Sequence, residues 1–345
     1  MKRSLATLLL LAAALTGGRA QDIIRWGEGP RDWAGFTISA PTDSVSSFGS
    51  FTLLKDKKTV RTPGITYRYM SVTGALIPQQ SKVRPDAMTD ASLLSIRQDL
   101  DILEYYARLF RDELLFTKDK DRTLEKAYIA RFREAQDKAR ATGDHSPYAL
   151  SPDTFDITRV PFDQDQRFYC VALGLFTNIP LGDQGRLLHP TAGVSAAIGF
   201  GRRRGGFRAE IDYGLSLYRH RPYDFLDKPV PYIGVFVQYN RELIQTGRLR
   251  LLLNGGPGYT TRAFDHLDYR QYVGGPAFTE GLSTDLHLHR NVSFSNSRPE
   301  LSDTILQLRL SFCQTFNTAQ QLIIPSVNIS AGLYFQSSSI KKAVQ

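Results

Sequence analysis

The chain has 345 residues, which is enough for one large domain or two ordinary ones, and its net charge of +9 is a mild basic bias. Cys170 and Cys313 are its only cysteines, so a disulfide framework and a cysteine-rich metal site are both excluded. The run Arg202-Arg203-Arg204 is short. It predicts a turn that touches lipid or sugar phosphates, and no nucleic-acid partner is expected.

The N-terminus has the pattern of a secretory signal peptide. A basic start, Met1-Lys2-Arg3, precedes an apolar run from Leu5 to Leu15 and the small-residue stretch Gly18-Arg19-Ala20. This run is too short to cross about 30 Å of hydrocarbon comfortably as an anchor. We therefore expect residues 1–20 to be removed during export, with cleavage before Gln21.

Residues 21–145 are predicted to form a small α+β domain. Apolar residues recur at spacings of three and four from Leu93 to Leu114, which predicts a helix with Thr89-Asp90 at its start. A second helix is predicted over 121–141, ended by Gly143. The strand-like runs before them include 51–54 and 65–69.

Residues 146–165, which are rich in Ser, Pro, Asp and Thr, are expected to be a linker.

The first helix resembles a bacterial family of secreted zinc proteases of unknown function. The family motif places His-Glu-x-x-His before Phe-Asp-Ile, a Glu and Tyr-Ala-Arg. Asp101-Ile102, Glu104 and Tyr106-Ala107-Arg108 match its second half, and Asp32–Phe36 and Ile65–Tyr67 are loosely similar to other family segments.

The metal positions of that motif are lost in this chain. Zinc chemistry needs two His at i and i+4 and a Glu as general base. Ser95, Ile96 and Asp99 occupy those three positions. The resemblance therefore implies a scaffold without zinc. The alternative is a plain amphipathic helix with Asp99, Asp101 and Glu104 on its solvated face, and both interpretations predict no metal or catalysis here.

From Arg167 onward the hydrophobic pattern has a period of two. In the segment 207–218, Phe207, Ala209 and Ile211 alternate with Arg208, Glu210 and Asp212. About eight such segments are found, at 167–178, 192–202, 206–219, 231–242, 248–260, 279–290, 303–316 and 324–336. We predict an all-β transmembrane barrel of about eight antiparallel strands over 166–336, with a tail at 337–345.

The connections and the last segment favour a membrane barrel over a soluble β-domain. Short connections at Gly205 and 245–247 alternate with longer polar ones. The connection 291–302 is too long for this pattern, so either the turn is extended or the strand boundaries slip. Ser330–Phe335 resembles the terminal strand of bacterial outer-membrane β-barrels, and the resemblance implies location in the outer membrane.

An eight-stranded barrel is just wide enough for side chains to fill its interior. Its predicted inward-facing charges form a mixed-sign network that plugs the lumen, because unpaired buried charges are costly. They are Arg208, Glu210, Asp212, Asp285, His287 and Arg309.

The remaining candidates for chemistry are weaker. Asp265, His266 and Asp268 could form a hydrolytic site in a loop at the rim. Asp285, His287 and His289 could hold a cation in the lumen, although a satisfied polar network is favoured. Isolated His145 and His220 are expected to be solvated, and Cys170 and Cys313 are predicted to stay unpaired because strand eight separates their strands.

These patterns lead to one main hypothesis and two alternatives. The main hypothesis is a non-enzymatic outer-membrane barrel protein, without catalytic residues, metal or cofactor, which uses outer-membrane lipid as its environment. Its periplasmic domain, residues 21–145, would contact peptidoglycan or an envelope protein. The alternatives are an outer-membrane hydrolase with a rim active site and a soluble periplasmic β-rich binding protein.

Overall fold

The computed structural model describes residues 23–42, 47–117, 121–202, 204–219, 228–265, 270–294, 299–317 and 321–343. The signal-peptide prediction falls outside these residues. The chain divides into two compact units. One comprises the residues up to 58 together with 69–156, and the other comprises 59–68 together with the residues from 157 onward.

The N-terminal part of the chain contains short strands, one long hairpin and two helices. The strands are β1 (Ile24–Arg25), β2 (Thr37–Ile38), β3 (Ser47–Phe48), β4 (Phe51–Thr62), β5 (Ile65–Leu76) and β6 (Lys82–Val83). The helices are α1 (Asp90–Leu114) and α2 (Asp121–Thr142). Strands β4 and β5 pair with each other, and β6 lies between β2 and β3 in a separate small sheet.

Helix α1 begins where the sequence predicts. The Thr89 side chain accepts a hydrogen bond from the Ser92 backbone N–H, which satisfies one of the free donors at the helix start. Helix α2 ends before Gly143, whose φ of +69° is a left-handed conformation that glycine adopts without strain.

The apolar faces of the two helices share one core with the long hairpin. Leu103, Ala107 and Phe110 of α1 are buried with Tyr128 and Phe132 of α2. The Phe110 and Tyr128 rings are 5.4 Å apart. Since the spacing of three and four puts these residues on one stripe of each helix, packing of the stripes removes them from water.

The C-terminal part consists mainly of long strands. These are β7 (Phe162–Gln164), β8 (Arg167–Pro180), β9 (Thr191–Arg202), β10 (Gly205–Ser216), β11 (Val230–Thr246), β12 (Leu249–Asp265), β13 (Arg270–Ser293), β14 (Glu300–Asn317) and β15 (Leu322–Lys342). A short helix, α3 (Gly182–Leu187), follows β8, and short 3-10 helices lie at Pro78–Gln80, Pro85–Ala87, Ser146–Tyr148 and Ile157–Arg159.

Strands β8 to β15 pair in sequence order, each antiparallel to the next, and β15 pairs back onto β8. The described strands thus close into a ring of eight, which confirms the predicted barrel. Both ends of the barrel segment, the start of β8 and the end of β15, lie at the same end of the ring. We call this the terminal end, and the opposite one the far end.

Several strands continue past their predicted limits. Strands β13 and β14 run to Ser293 and from Glu300, so the long predicted connection at 291–302 reflects slipped boundaries and not an extended turn. Strand β15 likewise runs to Lys342 instead of stopping at 336. Each extension carries only one large buried apolar residue, Val292, Leu301 or Ile340, among polar neighbours, and for that reason the alternating apolar pattern does not reveal it.

Additional pairings occur at the terminal end. Residues Ile65–Arg68 of β5 pair in parallel with Arg290–Ser293 of β13, beyond the point where β12 begins. Strand β7 pairs with Ile340–Lys342 of β15. The stretch 146–165, expected to be a linker, therefore includes a strand of the barrel unit, while its first part, to 156, belongs to the N-terminal unit.

Candidate functional site

The strands of the barrel separate apolar and polar side chains onto opposite faces. On β10, Phe207 and Ile211 are 51% and 57% exposed on the outer wall, whereas Arg208 and Glu210 are 4% and 0% exposed in the lumen. Leu308 and Leu310 on β14 face outward in the same way, on either side of buried Arg309. The predicted alternation is therefore confirmed, with charge inside and apolar surface outside.

The centre of the lumen is occupied by a charged cluster. Arg309 on β14 donates to both carboxylate oxygens of Glu210 on β10, at 2.6 and 2.5 Å. Arg208 also donates to Glu210, at 2.5 Å. Because β10 and β14 are four strands apart in a ring of eight, these bonds span the barrel from wall to wall.

Amides and a second ion pair extend this cluster toward the terminal end. Arg208 donates to Gln307 at 2.7 Å, and the Gln307 side-chain amide donates to Asp285 at 2.6 Å. Asp285 accepts a further bond from Arg250 at 2.9 Å. We call this connected set, from Arg250 through Asp285, Gln307, Arg208 and Glu210 to Arg309, the lumen network. Cavities beside it hold only about 50 and 10 Å³.

A second set of hydrogen bonds crosses the lumen nearer the far end. Arg262 on β12 donates to Thr191 at 2.8 Å and to Ser216 at 3.2 Å, and it also bonds Asn178 on the opposite strand β8. Its guanidinium lies 4.9 Å from the centre of the Tyr232 ring, in a cation–π contact. The sequence prediction missed Arg262 because it placed the end of this strand at 260; extending the alternation by two residues would have found it.

Not all of the residues that the sequence predicts to face the lumen belong to the lumen network. Arg208, Glu210, Asp285 and Arg309 belong to the lumen network, and Asp212 is buried next to Glu210 on the same strand. His287 does not join it: its ring lies 3.6 Å from Asp303.

The three residues of the predicted cation site, Asp285, His287 and His289, do not share one site either. Asp285 is engaged by Gln307 and Arg250, whereas His289 is within 3.2 Å of the Thr66 hydroxyl. A register shift between His287 and His289 breaks the strict alternation of β13, so the two rings have different surroundings. Within the described ranges, no three His, Cys, Asp or Glu side chains are grouped as metal ligands.

A polar cavity of about 620 Å³ opens at the terminal end of the lumen. Arg250, Arg290 and His287 line it together with Asp303, and residues 162–166 contribute from β7 and the chain after it. Arg290 donates to both oxygens of Asp303, at 2.8 and 3.2 Å, so most of this charge is already paired.

The predicted hydrolytic site at the rim falls mostly outside the described residues. His220, His266 and Asp268 lie outside the described residues, and of Asp265 only the backbone, at the end of β12, is described. His145 precedes the 3-10 helix Ser146–Tyr148 in the N-terminal unit. Cys170 and Cys313 are free, as their predicted strands required.

Helix α1 uses its acidic residues for structure. Asp99 is fully buried and accepts a hydrogen bond from Arg140 of α2 at 2.5 Å. Asp101 accepts from the Trp26 indole N–H at 2.7 Å. The expectation that Asp99 and Glu104 lie on a solvated face is therefore wrong, because both side chains are buried and each has a partner that a helical pattern cannot reveal.

Glu104 is held in the same core. It accepts the Gly74 backbone N–H at 2.8 Å and pairs with Arg108 at 3.2 Å. Burial raises the pKa of Glu104 above its ordinary value, and the bonds from Gly74 and Arg108 offset only part of that effect. Ser95 stands at the first His position of the motif and Ile96 at the position of its general base, and neither side chain can supply the imidazole or the carboxylate that the motif needs.

The wall and lumen together define the class of protein. A closed antiparallel barrel with an apolar outer surface and a charged interior is built to cross a bilayer, since every strand edge is paired. None of the helices in the described part of the chain is both long enough and apolar enough to span a membrane. The C-terminal unit is a membrane-spanning β-barrel of the outer-membrane kind, and the protein resides in the outer membrane.

No protein-family model matches the chain. No curated protein matches it either. Among solved structures, half of the chain is similar to Neisserial surface protein A, with 9% identity over 50% of this chain and 97% of the other and a TM-score of 0.32. The N-terminal β-barrel domain of OprF from Pseudomonas aeruginosa matches with 9% identity over 50% and 100% of the two chains and a TM-score of 0.29. Ail, the attachment invasion locus protein of Yersinia pestis, matches with 7% identity over 51% and 99% and a TM-score of 0.30.

Proposed function

We propose that this protein is a non-enzymatic outer-membrane barrel that holds its N-terminal unit in the periplasm for a structural or interaction role in the cell envelope. The observation that carries the proposal is the lumen network. Glu210 and Arg309 bridge opposite walls of the barrel, and their neighbours fill the space between. Such an interior serves as a rigid membrane anchor and not as a diffusion pore.

The proposed orientation rests on the turns at the terminal end. Strands β9 and β10 are joined there by residues 203–204, and β11 and β12 by 247–248. Short turns are typical of the periplasmic side of outer-membrane barrels. Since the N-terminal unit precedes β8, which starts at this end, we place that unit in the periplasm.

The proposed partner of residues 21–145 is peptidoglycan, with an envelope protein as the second candidate. Peptidoglycan is a polymer rich in carboxylates, and helix α2 presents a set of exposed basic side chains to solvent: Arg122, Lys126, Arg131, Arg133 and Lys138. Exposed cations of this kind attract an anionic polymer in a salt-dependent manner. The protease-like helix α1 acts in this proposal as a scaffold without catalytic function.

Membrane fractionation and conductance test the barrel part of the proposal. The full chain should enter the outer-membrane fraction, migrate differently on gels before and after boiling, and add no steady conductance to a planar bilayer. Recovery of the folded protein in the soluble fraction, or a stable open channel, would overturn it.

Sedimentation with purified peptidoglycan tests the partner. We expect the full chain in detergent to cosediment, and Arg131→Gln with Arg133→Gln to reduce the bound fraction several-fold. Asp183 and Arg186 on α3 form an exposed pair at the far end, so Arg186→Gln with Lys228→Gln is a charge-matched control that should leave binding unchanged. Equal cosedimentation of all three proteins, or of none, would contradict this assignment.

A further inference from the structure

Two rows of outward-facing side chains cross four adjacent strands near the terminal end of the barrel wall. In the first row Tyr169, Phe200, Phe207 and Tyr239 are direct cross-strand neighbours on β8, β9, β10 and β11. In the second row, two residues closer to the end of the barrel, the neighbours are Arg167, Arg202, Gly205 and Arg241. We call these the aromatic row and the arginine row.

The two rows line one groove of about 880 Å³ on the outer wall, to which Arg204 of the turn also contributes. Gly205 leaves the gap in the arginine row between Arg202 and Arg241. A Cβ atom at Gly205 would come within 2.6 Å of the Tyr239 hydroxyl, so a larger residue would narrow the groove. The aromatic row forms the side of the groove toward the membrane centre, with Phe207 and Tyr239 ring centres 5.2 Å apart.

The described part of the protein neutralises the arginine row only in part, through the exposed Asp165 carboxylate, which attracts Arg167. Arg167 lies directly opposite Arg202 in the β8–β9 pairing, an arrangement of like charges that destabilises a sheet. Among the described residues, Arg167, Arg202, Arg204 and Arg241 form no ion pair. The one carboxylate that lines the groove is Glu242, which projects from the lumen-facing side of β11.

The depth of the groove in the membrane indicates which ligand it binds. Exposed aromatic rings mark the level of the membrane interface in barrels of this kind, so the arginine row lies at headgroup depth. Guanidinium groups bind phosphate oxygens in bidentate geometry, and the rings provide a surface for the glycerol and upper acyl chain. On the proposed orientation this is the periplasmic leaflet, which faces phospholipid and not the sugar phosphates of the outer surface.

We infer that the aromatic–arginine groove is a binding site for an anionic phospholipid of the inner leaflet, held through its phosphate by Arg202 and Arg241. The site rests on the proposed orientation of the barrel, with the terminal end toward the periplasm. Such a lipid neutralises the repulsion between Arg167 and Arg202 and fixes the depth of the barrel in the membrane.

Native mass spectrometry of the full-length protein in detergent tests the site. Each sample receives equal amounts of phosphatidylglycerol and phosphatidylcholine, and the bound lipid is counted. Wild type should retain phosphatidylglycerol preferentially. Arg202→Gln with Arg241→Gln should lower that retention roughly 10- to 30-fold, since each cation near a lipid surface contributes about 1 kcal/mol. Arg186→Gln with Lys228→Gln, which removes the same charge at the far end, should retain it as wild type does.

Further samples, with inorganic phosphate or lipid A added, distinguish a phospholipid site from the alternatives. Displacement of phosphatidylglycerol by millimolar inorganic phosphate would reduce the site to a simple anion site, and a preference for lipid A would place the groove in the outer leaflet; either result overturns the inference. Equal retention by both double variants would do the same. The gel shift on boiling, recorded for each sample, reports separately whether the barrel itself is folded, so a failed lipid site is distinguishable from a failed barrel assignment.

Discussion

Arg309 and Glu210 face each other across the full width of the barrel and form two charge-assisted hydrogen bonds, at 2.6 and 2.5 Å. Both side chains are almost fully buried, and Arg208 shares the same carboxylate. The pair therefore joins opposite walls, β10 and β14, through a single carboxylate that serves two guanidinium groups. Loss of that carboxylate removes the negative charge to which both buried guanidinium groups are hydrogen-bonded.

Replacement of Glu210 should destabilise the barrel strongly. Glu210→Gln keeps the shape of the side chain but removes its charge, and breaking a buried ion pair from one side costs about 3–5 kcal/mol. We expect the temperature at which the folded band converts to the unfolded band on gels to fall clearly. Asp183→Asn is the control, since Asp183 is 97% exposed. An unchanged conversion temperature for Glu210→Gln would show that the bridge does not stabilise the barrel.

Two neighbouring glycines of β12 should respond differently to alanine. A Cβ atom at Gly256 would lie 2.1 Å from the Val237 carbonyl oxygen, whereas one at Gly255 would lie 3.1 Å from its nearest neighbour, the Thr279 carbonyl oxygen. Backbone atoms of a closed barrel cannot move aside easily, and overpacking typically costs about 1–3 kcal/mol. Gly256→Ala should therefore lower the refolding yield from urea into detergent more than Gly255→Ala, and the reverse order would contradict the packing described here.

The buried Asp99–Arg140 bond should stabilise the N-terminal unit. Trp26 and Trp33 are the only tryptophans of the chain, so tryptophan fluorescence of the full-length protein reports the unfolding of this unit alone. Asp99→Asn removes the charge that Arg140 binds, and a hydrogen bond to a charged group contributes about 1.5–3 kcal/mol.

The matched control for Asp99 is Asp137→Asn, an exposed position on α2. We expect it to change the unfolding midpoint in urea very little, since surface substitutions usually stay within about 0.5 kcal/mol. Equal midpoints for Asp99→Asn and Asp137→Asn would show that the buried bond contributes nothing.

Glu104 should make the stability of the N-terminal unit depend on pH. Because burial raises its pKa in the folded state, the folded protein holds the proton of Glu104 more tightly than the unfolded chain does. The contribution of Glu104 to stability is therefore greatest below its ordinary pKa of 4.5 and declines as pH rises through the folded pKa. Glu104→Gln cannot ionise and keeps an acceptor for the Gly74 N–H.

Tryptophan-monitored urea unfolding at several pH values checks this sign. Relative to wild type, Glu104→Gln should gain stability as the pH is raised from about 4 to about 7. The difference in free energy of unfolding between variant and wild type could instead stay constant over this range or move in favour of wild type. Either result would mean that the ion pair with Arg108 outweighs the desolvation of Glu104.

The local alternation of polar and apolar residues was sufficient to predict much of the barrel. The alternation around Arg208, Glu210 and Asp212 predicted their inward orientation, because a strand places successive side chains on opposite faces wherever it lies. The same rule predicted that Cys170 and Cys313 face the lumen on different strands. It failed in the extensions of β13, β14 and β15, since a single apolar residue among polar neighbours, such as Val292, Leu301 or Ile340, is too little to show a period of two.

Other features depended on partners distant in sequence. Asp99 and Glu104 looked like solvated residues of an amphipathic helix, and only the positions of Arg140 and Gly74 make them buried acceptors. The His287–His289 register shift could not be predicted either, because it depends on how β13 pairs with β14.

The sequence by itself determined the period of each segment, and hence the helical hairpin, the number of barrel strands and which face of the wall is charged and which is apolar. Tertiary structure alone decided which charges meet. Closure of the ring places β10 opposite β14 and β12 opposite β8, and so brings Glu210 to Arg309 and Arg262 to Asn178. The physical reason is that side-chain direction follows from the local backbone, whereas distance across a closed sheet depends on the pairing of every strand in it.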